Sequence, residues 1–355
     1  MWRLCCAAGL CLALGAAAVA AGQAPAERAA ATPSGHGFPD PAAARELLAA
    51  LSPSPALQSF LDSSLREIGS QDPKLLASSP RIAVIDLSSQ GTPALAQIRG
   101  NERVYPASVV KFVYLMAAYS WQERGRLVID ASLDQQLSEM IRESSNQATR
   151  KVFSRLTATE PGPELAPADY ALFRDRRLVV KKWLEAIGIS DLHTVSPTYD
   201  GGGDLFGRDE QFLRDRSVDG ALPSRDGQFA NRQAMTAAGT ARLLALLATD
   251  RALTAEDSAI VRGRMKRNIA EQPHLAHRIA GGAAQVPGSE VYSKSGTWGP
   301  IYADAGIVRH ASGRQFVLAF FTDASPPYRG EAIAELTQRL AEHLFVSLPA
   351  GESAP

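Results

Sequence analysis

Between residues 81 and 87 the chain reads Arg-Ile-Ala-Val-Ile-Asp-Leu, a short apolar run bounded by charge, which predicts a buried strand. Ala94 to Ile98 predicts its hairpin partner, and Glu290 to Lys294, Tyr302 to Arg309 and Gln315 to Thr322 predict three more strands near the end. Elsewhere the spacing is helical. Leu57, Phe60, Leu61, Leu65 and Ile68 mark a helix over Ala56 to Ile68, and Pro41 opens an earlier one over Asp40 to Leu51. Ser108 to Arg124 predicts an apolar helix, Leu133 to Leu156 one or two more, Leu178 to Ile187 another stopped by Gly188, and Met235 to Thr249 a further one. Ala332 to Phe345 closes the chain as a helix, and the stretch from Gly201 onward predicts a long loop.

The order of these elements sets the fold class. Strands stand at both ends of the chain and helices between them. Neighbouring strands are joined by short turns, so the sheet is expected to be antiparallel. The expected architecture is α/β of the α+β kind: an antiparallel sheet flanked by the terminal helices, plus a mostly helical lobe.

The start of the chain changes the picture. Residues 1–24 hold one early positive charge at Arg3, an uncharged Ala- and Leu-rich run, and small residues at Ala20, Ala21 and Ala24. That is the pattern of an export signal, with a membrane anchor or a lipoprotein at Cys11 as alternatives. Residues 25–39 then read as a flexible linker and 40–350 as one folded domain. Its α/β lobe spans 40–107 and 270–350 and its helical lobe 108–269. Cys5, Cys6 and Cys11 all lie in the signal, so the mature chain is expected to have no disulfide, thiolate metal site or cysteine nucleophile. No stable membrane insertion is expected after signal removal, and a periplasmic or secreted location follows. Lys+Arg and Asp+Glu are balanced at 37 each, which argues against a nucleic-acid partner. No metal-ligand spacing surrounds His274 and His277, His193 gives no usable signal, and no cofactor motif is present, so neither metal nor cofactor is expected.

Three short motifs carry candidate chemistry. In Tyr105-Pro-Ala-Ser108-Val-Val-Lys111, serine and lysine stand three apart at the start of an apolar helix, on one face. A serine hydroxyl needs a neighbouring base to act as a nucleophile, and a lysine whose pKa is lowered can be that base. The same pattern also describes an N-cap serine with a snorkelling lysine, although Lys111 sits among apolar neighbours. Glu143-Ser144-Ser145-Asn146 interrupts a helical pattern, which by itself is a helix–helix junction. Lys294-Ser295-Gly296-Thr297 closes a strand, where glycine lets another backbone come close; alone it is a strand end with a turn glycine.

Together, in this order, the three motifs resemble those of the penicillin-recognising active-site serine enzymes, and of the class A β-lactamase-like family in particular. The resemblance runs from about Ile82 to Phe345 and includes Met235-Thr-Ala-Ala-Gly-Thr-Ala-Arg-Leu-Leu and Tyr302-Ala-Asp-Ala-Gly-Ile-Val. It implies Ser108 as the acylated nucleophile, Lys111 as its base and Ser144 as proton relay to the leaving nitrogen. It implies Asn146 as a substrate-binding residue that also holds Lys111, and Lys294 as the source of positive potential. Ser295 and Thr297 would bind a substrate carboxylate or the acyl chain beside Gly296, with the backbone N–H groups of Ser108 and Thr297 as oxyanion hole. The implied substrate is a small β-lactam or an acyl-peptide. A D-alanyl-D-alanine-type peptidase or amidase, or a penicillin-binding module that acylates without turnover, are the alternatives.

The chain departs from the family pattern at the Ω-loop. The stretch Ser190 to Gly203 holds no glutamate to activate the deacylating water. Asp191 stands too early and Glu210 further along; Asp200 is near the expected place with a shorter side chain, or is a turn aspartate before three glycines. Ser145 replaces the family's aspartate, and Thr157 to Arg176 and Gly201 to Gly227 read as insertions.

Overall fold

The strands Ile301–His310 and Gln315–Asp323 are apolar along nearly their whole length, as strands covered on both faces must be. In this computed structural model, which describes residues 41–88, 92–199, 206–218, 222–223 and 229–346, they form the centre of the main sheet. Numbered in chain order the strands are β1 Ser52–Pro53, β2 Arg81–Asp86, β3 Ala94–Ile98, β4 Leu222–Pro223, β5 Phe229–Ala230, β6 Lys266–Arg267, β7 Ser289–Trp298, β8 Ile301–His310 and β9 Gln315–Asp323. Seven of them pair in the order β1-β3-β2-β9-β8-β7-β6, and β4 and β5 make a separate ribbon.

The expected antiparallel pairing holds for β2 with β3 and β9, and through β9, β8, β7 and β6. The exception is β1, a two-residue strand that runs parallel to β3. A second correction concerns the Lys294 motif. The strand expected to end at Lys294 continues through Ser295, Gly296 and Thr297 to Trp298, with Gly296 opposite Ala303.

Alternation along each strand splits the core into two. Ile82 and Val84 of β2 join Phe316, Leu318 and Phe320 of β9 on one face. There they meet Leu57, Leu61, Leu65 and Ile68 of helix Pro55–Gln71 and Ile333, Leu336 and Leu340 of helix Ala332–Ala341. Ala83 and Ile85 turn to the other face with Val317, Ala319 and Phe321, in one core with helices Ala237–Ala248 and Lys111–Glu123. From Lys111 to Trp121 every residue of the latter helix is buried, which suits a helix that is apolar all round.

The one or two helices expected over Leu133 to Leu156 are two. Ala131–Arg142 is capped by Asp130, which accepts from Leu133 N, and Asn146–Thr157 is capped by Ser145, which accepts from Ala148 N. Two further helices lie in segments expected to be insertions or loop, Pro167–Arg177 and Arg208–Arg214. Their Phe173 and Phe212 pack with Val195 and Val218 in a small core of their own. The proposed signal and linker lie outside the described residues. Among the described residues, no helix is long and apolar enough to cross a membrane.

Candidate active site

Ser108 does not sit in an ordinary first helical turn. The expected single helix from Ser108 begins as a 3₁₀ turn, Ala107–Val110, and becomes α-helical at Lys111. In a 3₁₀ turn residues i and i+3 are eclipsed, which aligns Ser108 with Lys111. Val109 N donates to Pro106 O at 3.1 Å, closing the turn. Ala107 takes φ +48°, a left-handed conformation that costs a non-glycine residue about 1 kcal/mol. Such strain is held only where the surroundings enforce it, here directly before the candidate nucleophile.

Lys111 is 0 % exposed. Its Nζ donates to Asn146 Oδ1 at 2.7 Å, to Ser144 Oγ at 3.2 Å and, more closely still, to the Ser144 carbonyl. A lysine head group buried without acceptors would be costly; here oxygens surround it. The junction residues are shaped for this task. Ser144 has φ +58°, Ser145 caps the next helix, and Asn146 opens it with its amide oxygen on Lys111 and its Nδ2 3.5 Å from Tyr199 O. The stretch is therefore both a helix–helix junction and the place where Lys111 is held.

β7 closes the other side. A Cβ placed on Gly296 would lie 2.8 Å from Pro106 O and 3.1 Å from Ser108 N, so the strand passes backbone to backbone against the serine turn. Lys294 is 2 % exposed and its Nζ donates to Ser295 O at 2.8 Å. Burial pushes its pKa well below the usual lysine range, and Arg267 and Lys111 push it further, against the pull of Asp304. Ser295 is part-exposed, and Thr297 is exposed beyond it.

Three residues at this site lie outside the three short motifs. Arg278 is buried, donates to Ala303 O at 2.6 Å and Thr297 Oγ1 at 2.7 Å, and lies 3.4 Å from the centre of the Tyr302 ring. Arg267 bridges Ser293 O and Ile141 O. Asp304 is fully buried, accepts from Ile279 N at 3.1 Å, and has its pKa raised by burial, against the pull of Arg278, Arg267 and Lys294. One signal marks Asp304: a carboxylate inside the apolar run Tyr302 to Val308 needs buried cations.

The segment from Ser190 to Tyr199 is anchored at several points. Arg177 pairs with Asp209 in a buried ion pair and lies over the ring of Phe173. Tyr199 OH donates to the same Asp209 at 3.3 Å, and burial raises its pKa to about 12. Asp191 accepts from Thr236 Oγ1 and faces Arg242 at 3.6 Å, at the start of the helix Ala237–Ala248. Glu210 is exposed beside Arg214. Asp200, the candidate deacylating residue, lies outside the described residues. Among the described residues no group of three or more His, Cys, Asp or Glu could hold a metal ion.

The model of the β-lactamase enzyme family matches residues 178–344. Solved structures match over most of the chain. The acyl-enzyme complex of a point mutant of PBP-A with penicillin G is 17 % identical with a TM-score of 0.54, over 84 % of this chain and 98 % of that one. The β-lactamase of Sphaerobacter thermophilus is 17 % identical with a TM-score of 0.55, over 82 % and 99 %. A class A β-lactamase reconstructed as the last common ancestor of Gram-negative bacteria is 16 % identical with a TM-score of 0.56, over 80 % and 98 %. No curated protein sequence matches the chain. The chain has the β-lactamase fold, and its residues 178–344 match the β-lactamase enzyme family.

Proposed function

We propose that this protein is an exported active-site serine hydrolase that opens the amide of a β-lactam through an acyl-enzyme on Ser108. The observation that carries the reading is the contact of Lys111 Nζ with Ser144 and Asn146, one helical junction away from a serine turn that Gly296 lets β7 approach. Ser108 Oγ attacks the carbonyl carbon as its proton passes to the neutral amine of Lys111. The C–N bond breaks, the proton reaches the leaving nitrogen through Ser144, and an ester remains on Ser108. The N–H groups of Ser108 and Thr297 receive the oxyanion. Arg278 and Arg267 outnumber Asp304, so the site favours a substrate carboxylate, with Ser295 and Thr297 as its hydrogen-bond partners.

A second reading has its own support. From Gly188 to Tyr199 the only carboxylate is Asp191, and it is engaged with Thr236 and Arg242. A protein without a placed base for water acylates and holds the adduct, as a penicillin-binding module does, or passes the acyl group to a peptide-type acceptor. Incubation with a chromogenic cephalosporin and a fluorescent penicillin, followed by intact mass, separates the readings. Turnover that vanishes in Ser108→Ala supports the hydrolase, and a lasting one-to-one adduct supports the second reading. Ser108→Ala behaving as wild type in both assays would sink both. Turnover unchanged in Asp200→Asn removes Asp200 from the reaction.

A further inference from the structure

Trp298 and Tyr105 meet beside the serine turn. Trp298 ends β7 and is 51 % exposed; its ring centroid lies 5.3 Å from that of Tyr105, at 64°. A single exposed aromatic side chain needs no explanation. This one is held in place. Arg329 Nη2 donates to Gly299 O at 2.6 Å, pinning the turn directly after Trp298, and Trp298 pairs with Ile301 across that turn. On the other side, the residue before Tyr105 is fixed by the bridge of Val104 to Met235.

The position of the pair follows from the strand period. Lys294, Gly296 and Trp298 share one face of β7, each about 7 Å from the next. Gly296 is the residue pressed against the Ser108 turn. Lys294 therefore flanks Ser108 on one side and Trp298 on the other. The site has a cationic end, with Lys111, Lys294 and Ser144, and an aromatic end, with Trp298 and Tyr105.

We propose that Trp298 and Tyr105 form a specificity subsite that stacks a flat aromatic ring on the acyl half of the substrate. The inference rests on the reading above, in which Ser144 protonates the leaving nitrogen: the leaving half then lies at the cationic end and the acyl half at the aromatic one. A tryptophan ring already ordered by its neighbour gives stacking area without the entropy of fixing a loose side chain.

The test uses phenylacetylglycine and acetylglycine, which differ by the ring, titrated by NMR into the full-length protein. The phenylacetyl compound is expected to bind about three- to tenfold more tightly. Trp298→Phe keeps most of that preference, and Trp298→Ala brings the two affinities close together. A ratio unchanged in Trp298→Ala overturns the subsite. Turnover of a chromogenic cephalosporin, with intact mass after exposure to it, reports the underlying reading separately. An adduct on Ser108 without a ring preference defeats the subsite alone. A ring preference lost in Trp298→Ala, with neither cephalosporin turnover nor an adduct on Ser108, supports the aromatic subsite and defeats the catalytic reading.

Discussion

Asn146 Oδ1 lies 2.7 Å from Lys111 Nζ, 35 residues away in sequence and at the far end of a helical junction. Lys111 is buried, so its charge depends on the oxygens that surround it. Asn146→Leu keeps much of the volume and removes one acceptor. The expected cost is about 1–3 kcal/mol of stability, with acylation of Ser108 slowed about 10²-fold because the base is no longer held. Urea unfolding and the rate of adduct formation by intact mass check the two parts. Acylation at the wild-type rate would remove Asn146 from the positioning of Lys111.

Gly296 gives a contrast within one molecule. A methyl group there meets Pro106 O at 2.8 Å and Ser108 N at 3.1 Å, both backbone atoms that cannot swing aside. Gly296→Ala is expected to cost about 1–3 kcal/mol and to slow acylation, since the serine turn itself must move. Gly263 lies inside the helix Ala255–Met265 with nothing within 4 Å of a Cβ. Gly263→Ala is expected to stabilise by about 0.5–1 kcal/mol. Thermal melts and adduct formation on both variants test the pair. Equal behaviour of the two would contradict the close approach of β7 to Ser108.

The contrast between legible and hidden residues has a physical cause. Ile82 to Ile85 and Phe316 to Phe321 announce strands because burial on both faces demands continuous apolar side chains. Ser108, Lys111, Ser144, Asn146 and Lys294 stand out as a set because their order and spacing match one chemistry. Arg278 and Arg267 do not stand out, since a lone arginine reads as a surface cation until the fold buries it. Gly296, Thr297 and Trp298 read as a strand end because glycine usually marks a turn; pairing with Ala303, Tyr302 and Ile301 of β8 carries the strand onward. The helix Pro167–Arg177 has few apolar positions, and its burial depends on Phe173 and on the ion pair of Arg177.

Asp304 concentrates the electrostatics of the sheet side of the site. It is the buried carboxylate that interacts with Arg267, Arg278 and Lys294, and it accepts from Ile279 N. Asp304→Ala leaves buried cations uncompensated and a helix N-terminus without its acceptor. The expected loss is about 3–5 kcal/mol, read by urea unfolding. Replacing Arg278 by Leu in the same chain should return part of it, because one uncompensated charge goes. A double variant that is less stable than Asp304→Ala by the full cost of Arg278→Leu alone would show that the two residues do not interact.

Stability should depend on pH through two groups with opposite signs, one buried and one half-buried. His193 is 1 % exposed, with Nε2 2.7 Å from Asn231 Oδ1. Burial, with Lys181 and Arg103 nearby, lowers its pKa to about 4. Below the unfolded value of about 6.5 the unfolded chain takes up a proton that the folded chain refuses. His193 therefore costs stability as pH falls, about 2 kcal/mol at pH 5. Asp257 acts the other way. Burial, and then its hydrogen bond and charge interaction with Glu123, raise its pKa to about 7. Between about 3.8 and 7 the folded state holds a proton that the unfolded state has lost, so this contribution declines as pH rises through that window. The two slopes oppose each other in the wild type. Urea unfolding at pH 7.5 and pH 5 should show Asp257→Asn losing more stability on acidification than wild type, and His193→Gln losing less. The comparison is of slopes, so a uniform change in stability from either substitution does not affect it. If both variants follow the wild-type slope, neither group titrates as its surroundings require.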